Sequence, residues 1–309
     1  MPGKPRIMVV GSSNTDMVIK AGHLPAPGET VIGGEFRMVP GGKGANQAVA
    51  AARLGAAVWF VARVGIDVFG DTALENFRRE GMHTEFVARD SDRPSGVALI
   101  NVDCHGENSI AVAPGANLCL SPEDVDRARE VMANCSAVVM QLEIPLETVG
   151  YTAGIAHEQG VKVILNPAPV GLGGVPKEIL RLVEVLVPNE SEARALMGLA
   201  EDTTIDESSA SRILDLGVGS AVITLGSKGS LVVEKERVTR ISAIKVEAVD
   251  TTAAGDAFTG ALSVALSSGM ELVDAARFAT RVAALSVTRM GAQSSLPTMD
   301  DLAQFNKSK

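Results

Sequence analysis

Two rhythms of apolar and polar positions run along this chain. The first is a series of short, mostly apolar stretches at residues 7–10, 58–61, 137–142, 161–165, 183–187 and 221–225. Polar residues are few in them and full alternation runs through none, which predicts strands buried on both faces. Between them the apolar period lengthens to 3.6, predicting helices over residues 44–54, about 71–80, 146–159, 256–268 and 272–288. Gly55, Gly81 and Gly269 stand where helix caps belong. Residues 230–233 and 238–241 read as a β-hairpin. Alternating strands and helices predict an α/β fold, a doubly wound, mostly parallel sheet flanked by helices.

The second rhythm has period 2. It occupies residues 16–39 and 97–112, both bordered by glycine and proline and neither holding a helical pattern. Such strands interrupt the α/β alternation and predict a small β-sheet standing off the main body as a lid. The expected organisation is one α/β domain over residues 1–309, with a lid formed by two insertions, about 16–40 and about 95–113. Edge strands of the main sheet are the alternative.

Composition narrows the classes of function. Of the 309 residues 46% are hydrophobic but only 3% aromatic, so a sizeable core must be mainly aliphatic. A formal net charge of -9, with no cluster of Lys and Arg, argues against a nucleic-acid partner. Cys104, Cys119 and Cys135 are sparse and odd in number, as reduced thiols are, and the four histidines form no zinc pattern. No apolar run has the length of a membrane span or the form of a signal peptide, so a cytoplasmic protein is expected.

The densest chemistry lies at residues 249–256, VDTTAAGD, which run straight into an amphipathic helix. Ala253, Ala254 and Gly255 leave backbone N–H groups open at a helix N-terminus, which suits an anion. Asp256 adds a carboxylate able to act as a base. A cradle beside a base is the minimum for moving a phosphoryl group onto a hydroxyl. A small-residue loop with an ordinary first-turn acid is the alternative.

Residues 40–48, PGGKGANQA, are not a Walker A loop, because the upstream glycine is missing and Lys43 is followed by Gly44. No GxGxxG occurs either. A tight turn here delivers Lys43 and Asn46 to a helix start, as donors to sugar hydroxyls or simply as a capping turn. Asn14 and Asp16, two apart beyond the first strand, face the same way and suit a polyol. Glu143 stands in the equivalent place after another strand, at the sheet end where open α/β folds bind ligands. Asn189 and Glu192 read as a capping box. The small residues at 224–229, TLGSKG, admit close approach of a nucleotide or form a plain hairpin turn.

Taken together, GGKGANQA at 41–48, DTTAAGD at 250–256, the Asn189/Glu192 pair and the 224–229 loop resemble one family in order and spacing. It is the phosphofructokinase-B-type carbohydrate kinase family, in its ribokinase form, and the likeness covers almost the whole chain. The resemblance implies a ribokinase-like fold and ATP-dependent phosphorylation of D-ribose at O5. It implies Asp256 as the base and the N–H groups of Ala253, Ala254 and Gly255 as the anion hole. Ribose would lie among Asn14, Asp16, Gly42, Lys43, Asn46 and Glu143. ATP would lie along Asn189, Thr224, Gly226 and Gly229, with Thr280 near the adenine. Mg²⁺ would accompany the ATP, with Glu192 reaching it through water. An activating K⁺ would sit among oxygens of Asp250, Thr252, Ser286, Arg289, Gly291 and Ser295, where only Asp250 is anionic. The lid would close over the sugar and pair with a second subunit in a homodimer. A kinase for 2-deoxyribose or another sugar is the nearest alternative, and an inactive sugar-binding regulator a more distant one.

Overall fold

The structure is a computed structural model and describes residues 3–307. Its strands are β1 (Arg6–Val10), β2 (Asn14–Lys20), β3 (Glu35–Gly41), β4 (Ala57–Gly65), β5 (Val87–Asp90), β6 (Gly96–Val102), β7 (Asn108–Ala113), β8 (Ala137–Met140), β9 (Lys162–Leu165), β10 (Val185–Leu186), β11 (Ser220–Thr224), β12 (Ser230–Glu234) and β13 (Arg237–Ile241). The helices are α1 (Lys43–Arg53), α2 (Val68–Arg79), α3 (Pro122–Asp126), α4 (Arg129–Met132), α5 (Leu146–Glu158), α6 (Lys177–Leu180), α7 (Glu190–Met197), α8 (Glu207–Ala210), α9 (Ala254–Ser267), α10 (Leu272–Ser286) and α11 (Met299–Lys307). None of them is long and apolar enough to cross a membrane.

Nine strands form one sheet in the order β13-β12-β11-β10-β9-β8-β1-β4-β5, parallel except where β12 joins β11 and β13. The scarcity of polar residues in these strands now has its cause. On β1, Ile7 and Val9 enter one core with α1, α2, α9, α10 and α11, while Met8 and Val10 enter a second core on the other face. The sheet is doubly wound as expected. Strand order reverses around β1, with β4 on one side and β8 on the other. At such a switch point the carboxyl ends of the strands open a crevice.

The period-2 segments are not edge strands of that sheet. They make a separate four-stranded sheet, β3-β2-β6-β7, with β2 and β6 parallel and the outer pairs antiparallel. Ile19, Phe36, Met38, Leu99, Ile110 and Val112 remain exposed on it.

Several boundaries move, each for a local reason. The last long helix was expected to reach residue 288 but ends at Ser286, because the Val287 carbonyl accepts the N–H groups of Val249 and Asp250 at 2.8 and 3.2 Å. Helix α2 starts early, at Val68, with the Asp67 carboxylate accepting from the Gly70 N–H. The apolar run 183–187 keeps only two strand residues. Strand β5 escaped the apolar pattern, since Arg89 and Asp90 occupy half of it and serve ion pairs with Asp71 and Arg63.

Candidate active site

The carboxyl ends of β1 and β8 meet the starts of α1 and α9. Ser12, just past β1, ties the junction: its carbonyl accepts the Ala45 N–H and its hydroxyl donates to Glu143 at 2.5 Å. Glu143 also accepts the Lys43 backbone N–H at 3.1 Å. Gly42 precedes α1 with φ +88, and a Cβ there would lie 2.7 Å from the Asn14 nitrogen. Both facts demand glycine.

That turn aims the first residues of α1 at Asp256. Asn46 Nδ2 donates to Asp256 Oδ2 at 2.9 Å and Gln47 Nε2 to Oδ1 at 3.0 Å, joining residues 210 and 209 positions apart. Asp256 is buried, 6% exposed, and burial raises its pKa against the pull of Lys43 and the two amides. Burial alone would lower the pKa of the Lys43 ammonium, but Asp256, Glu143, Glu192 and Asp16 outweigh it and raise it. Asp16, desolvated and facing Glu143 and Asp256, is pushed up to about 6. Next to it, Asn117 Nδ2 donates to Asn14 Oδ1 at 2.8 Å, while Asn117 Oδ1 accepts the Ser13 N–H. With its oxygen taken, the Asn14 amide is left with N–H donors to offer.

Helix α9 begins without a side-chain cap, and Ala253 before it lies in the left-handed region at φ 58. This turn brings the Ala254 N–H to within 3.2 Å of the Thr251 carbonyl. Of the three amides expected to form the cradle, Ala253 and Gly255 are therefore open among the described residues, and Ala254 is partly engaged.

A cleft of about 210 Å³ runs from Lys43 and Asp256, past the α9 N-terminus, to Asn189, Glu192 and Thr224. Asn189 and Glu192 form the expected capping box, with Asn189 Oδ1 accepting the Glu192 N–H at 2.8 Å and Glu192 accepting the Asn189 N–H at 2.9 Å. Burial raises the Glu192 pKa. Gly226 and Gly229 lie in the turn between β11 and β12, off the cleft wall. Thr280 on α10 is also off it, its hydroxyl donating to the Ala276 carbonyl at 2.8 Å.

Asp250 holds a loop beside α9. Its carboxylate accepts the N–H groups of Thr252 at 2.9 Å and Gly291 at 2.8 Å, which outweigh burial and lower its pKa. The Ser286 and Ser295 hydroxyls donate to the carbonyls of Ala283 and Ala292, and the Arg289 guanidinium to Asp301. For a cation Arg289 offers its backbone carbonyl alone, while Ser286 and Ser295 keep hydroxyl lone pairs beside their carbonyls.

The sequence reading missed four polar residues of this region: Ser12, Asn117, Gln141 and Asn166. Gln47 lay inside a quoted motif but had no role. Gln141 and Asn166 follow β8 and β9 directly, which is the signal that had singled out Glu143.

The description "pfkB family carbohydrate kinase" matches residues 4–299 of this chain. A ribokinase of Haemophilus influenzae is 42% identical over 300 residues, covering 97% of each protein. A deoxyribokinase of Salmonella typhi is 38% identical over 302 residues, again covering 97% of each. The structure of Arabidopsis thaliana ribokinase complexed with ribose and ATP superposes with a TM-score of 0.88 at 33% identity, over 99% of each chain.

Proposed function

Because the chain belongs to the pfkB family of carbohydrate kinases, and is an ATP-dependent sugar kinase, we propose that it phosphorylates D-ribose at O5, giving ribose 5-phosphate and ADP. One observation carries this reading: Asp256 is gripped by Asn46 and Gln47 from the 41–48 segment, at the uncapped start of α9. In the proposed step Asp256 takes the O5 proton as O5 bonds to the γ-phosphorus. The bond from that phosphorus to the bridging oxygen breaks, and its electron pair leaves with ADP. The N–H groups of Ala253 and Gly255 steady the transferring group, with Ala254 turning to join them.

Ribose is favoured over 2-deoxyribose by Asn14, whose amide Asn117 orients as a donor. A donor built for a hydroxyl is left unpaired by a sugar lacking it. Asp16, Gly42, Lys43, Asn46 and Glu143 complete the sugar end, and Asn189 and Thr224 the nucleotide end, with Gly226, Gly229 and Thr280 beyond it. Mg²⁺ fits there, with the Glu192 carboxylate on the cleft wall to reach it through water; it would neutralise phosphate charge. K⁺ fits the loop of Asp250, Thr252, Ser286, Arg289, Gly291 and Ser295, where one carboxylate stands among carbonyls. Equal rates in K⁺, Na⁺ and cation-free Tris would remove it. The small sheet acts as a lid, and its exposed Phe36, Met38, Leu99 and Ile110 suit pairing with a second copy. A monomer by sedimentation would end that part of the reading.

The deciding experiment measures ADP release from Mg²⁺-ATP with K⁺, comparing D-ribose, 2-deoxyribose, fructose and adenosine, beside Asp256→Asn. Preference for ribose, lost in the variant, is the expected outcome. Preference for 2-deoxyribose would overturn the role of Asn14.

A further inference from the structure

Behind Asp256 lies a chain of buried amides that no step above uses. Gln141 Nε2 donates to Gln47 Oε1 at 2.6 Å, and Gln47 Nε2 donates to both Asn166 Oδ1 and Asp256 Oδ1 at 3.0 Å. Asn166 Nδ2 in turn donates to the Val187 carbonyl at 2.8 Å. Gln47 and Gln141 have no exposed surface and Asn166 is 8% exposed, so water does not compete for these groups.

We propose that Gln47, Asn166 and Gln141 are positioning residues that fix Asp256 as an outward-facing proton acceptor. This deepens the reading of Asp256 as the base and rests on it.

The argument is one of polarity. A backbone carbonyl can only accept, so Asn166 must turn its nitrogen to Val187 and its oxygen to Gln47. That oxygen can only accept, so Gln47 must turn its nitrogen toward Asn166, and with it toward Asp256. Gln47 Oε1 is then left facing Gln141, which donates to it. Each amide is set by the one before, and the series starts from a main-chain group that cannot change sign.

For Asp256 the consequence is specific. The side of Oδ1 that faces Gln47 meets a donor and cannot carry a proton. Asn46 does the same to Oδ2. A proton arriving at Asp256 is confined to the lone pairs facing the cleft, where the sugar hydroxyl would stand. Val187 and Asn166 also line the cleft, so the chain of amides joins the base to the wall of the nucleotide end.

The charged groups bearing on Asp256 are Lys43 and Glu143, with Asp16 and Glu192 beyond them. All remain when Gln47 is replaced. Gln47→Met keeps the length of the side chain and removes its donor, which stabilises the charged carboxylate. The acid limb of kcat/KM should therefore move up by about one pH unit, with KM for the sugar within about twofold of the parent. Activity should recover toward the parent value as pH rises. Asn166→Ala, which frees Gln47 to turn over, should move the limb the same way by a smaller amount.

A purely structural role for the amides predicts a loss that is equal at every pH. That result, or a limb unmoved in a folded Gln47→Met or Asn166→Ala protein, overturns the proposal. Asp256→Asn, run in parallel, separates the two readings. If it turns over like the parent, the base itself is misassigned. If it is inactive while Gln47→Met keeps the parental limb, only the positioning role fails.

Discussion

Two helices point their N-termini into the same cleft, and they are finished in opposite ways. Helix α7 is sealed, because Asn189 and Glu192 exchange backbone hydrogen bonds across its first turn. Helix α9 is bare, with Ala253 left-handed before it and no side chain on its leading N–H groups. A cap is worth about 1 kcal/mol to a helix that only has to hold itself. Leaving it out, and holding an alanine at positive φ at a cost of about 1–2 kcal/mol, keeps the leading N–H groups available to an acceptor from outside the helix. A bare helix end tells most when a capped neighbour stands beside it.

Closing the bare end is the strongest test of this contrast. A Cβ at Gly255 meets no atom within 4 Å, so Gly255→Asp fits without a clash and places a resident anion in the cradle. Turnover should fall by at least about 100-fold. Undiminished turnover in steady-state assays would mean that the α9 amides bind no phosphate.

Asp16 lies half-buried near this end, and burial first, then the carboxylates of Glu143 and Asp256, raise its pKa. Its pKa is about 6 in the folded chain against 3.8 for an ordinary aspartate, so the native state binds the extra proton. Stability from this group is whole below pH 4 and is lost as pH rises through 6. Asp16→Asn should therefore raise stability at pH 7 by about 3 kcal/mol, with the gain vanishing below pH 4. Urea titrations at the two pH values read this directly, and an equal gain at both would contradict it.

The capped end yields smaller effects. Asn189→Ala should cost about 1 kcal/mol in a urea titration. Asn189→Asp keeps the capping oxygen and removes the amide donor, so stability should hold while KM for ATP rises. If both variants leave that KM alone, Asn189 is a cap and nothing more. Least of all, Ala253→Gly relieves the left-handed backbone but loosens the unfolded chain, for a net gain of about 0.5 kcal/mol in thermal unfolding.

How far the sequence could be read follows the same divide between local and distant. The apolar runs revealed the buried strands and the period-2 runs the second sheet, because each pattern is decided by which faces are covered. The cap of α7 was legible because Asn189 and Glu192 lie three residues apart. The grip on Asp256 was not, since Asn46 and Gln47 reach it from more than 200 positions away. Nor was the partial engagement of Ala254, which depends on the backbone angle of Ala253 and not on any side chain. Asn117 stayed hidden for a third reason: a buried asparagine in a short turn looks like any loop residue until its partner at Asn14 is known.

The meeting of β1 and α1 has a consequence for how such a chain can change. A Cβ on Gly11 would come within 2.8 Å of the Gly44 Cα, and one on Gly44 within 2.7 Å of the Gly11 Cα. The Gln141 side chain also crowds Gly11, but the joint itself is main chain against main chain, so no second substitution relieves the first. A lineage drifting toward another sugar cannot re-site this helix in small steps. On the proposed reading such a change must come from the side chains around the joint, at Asn14, Asp16 and Asn117, while positions 11 and 44 stand as silent columns in any library of variants.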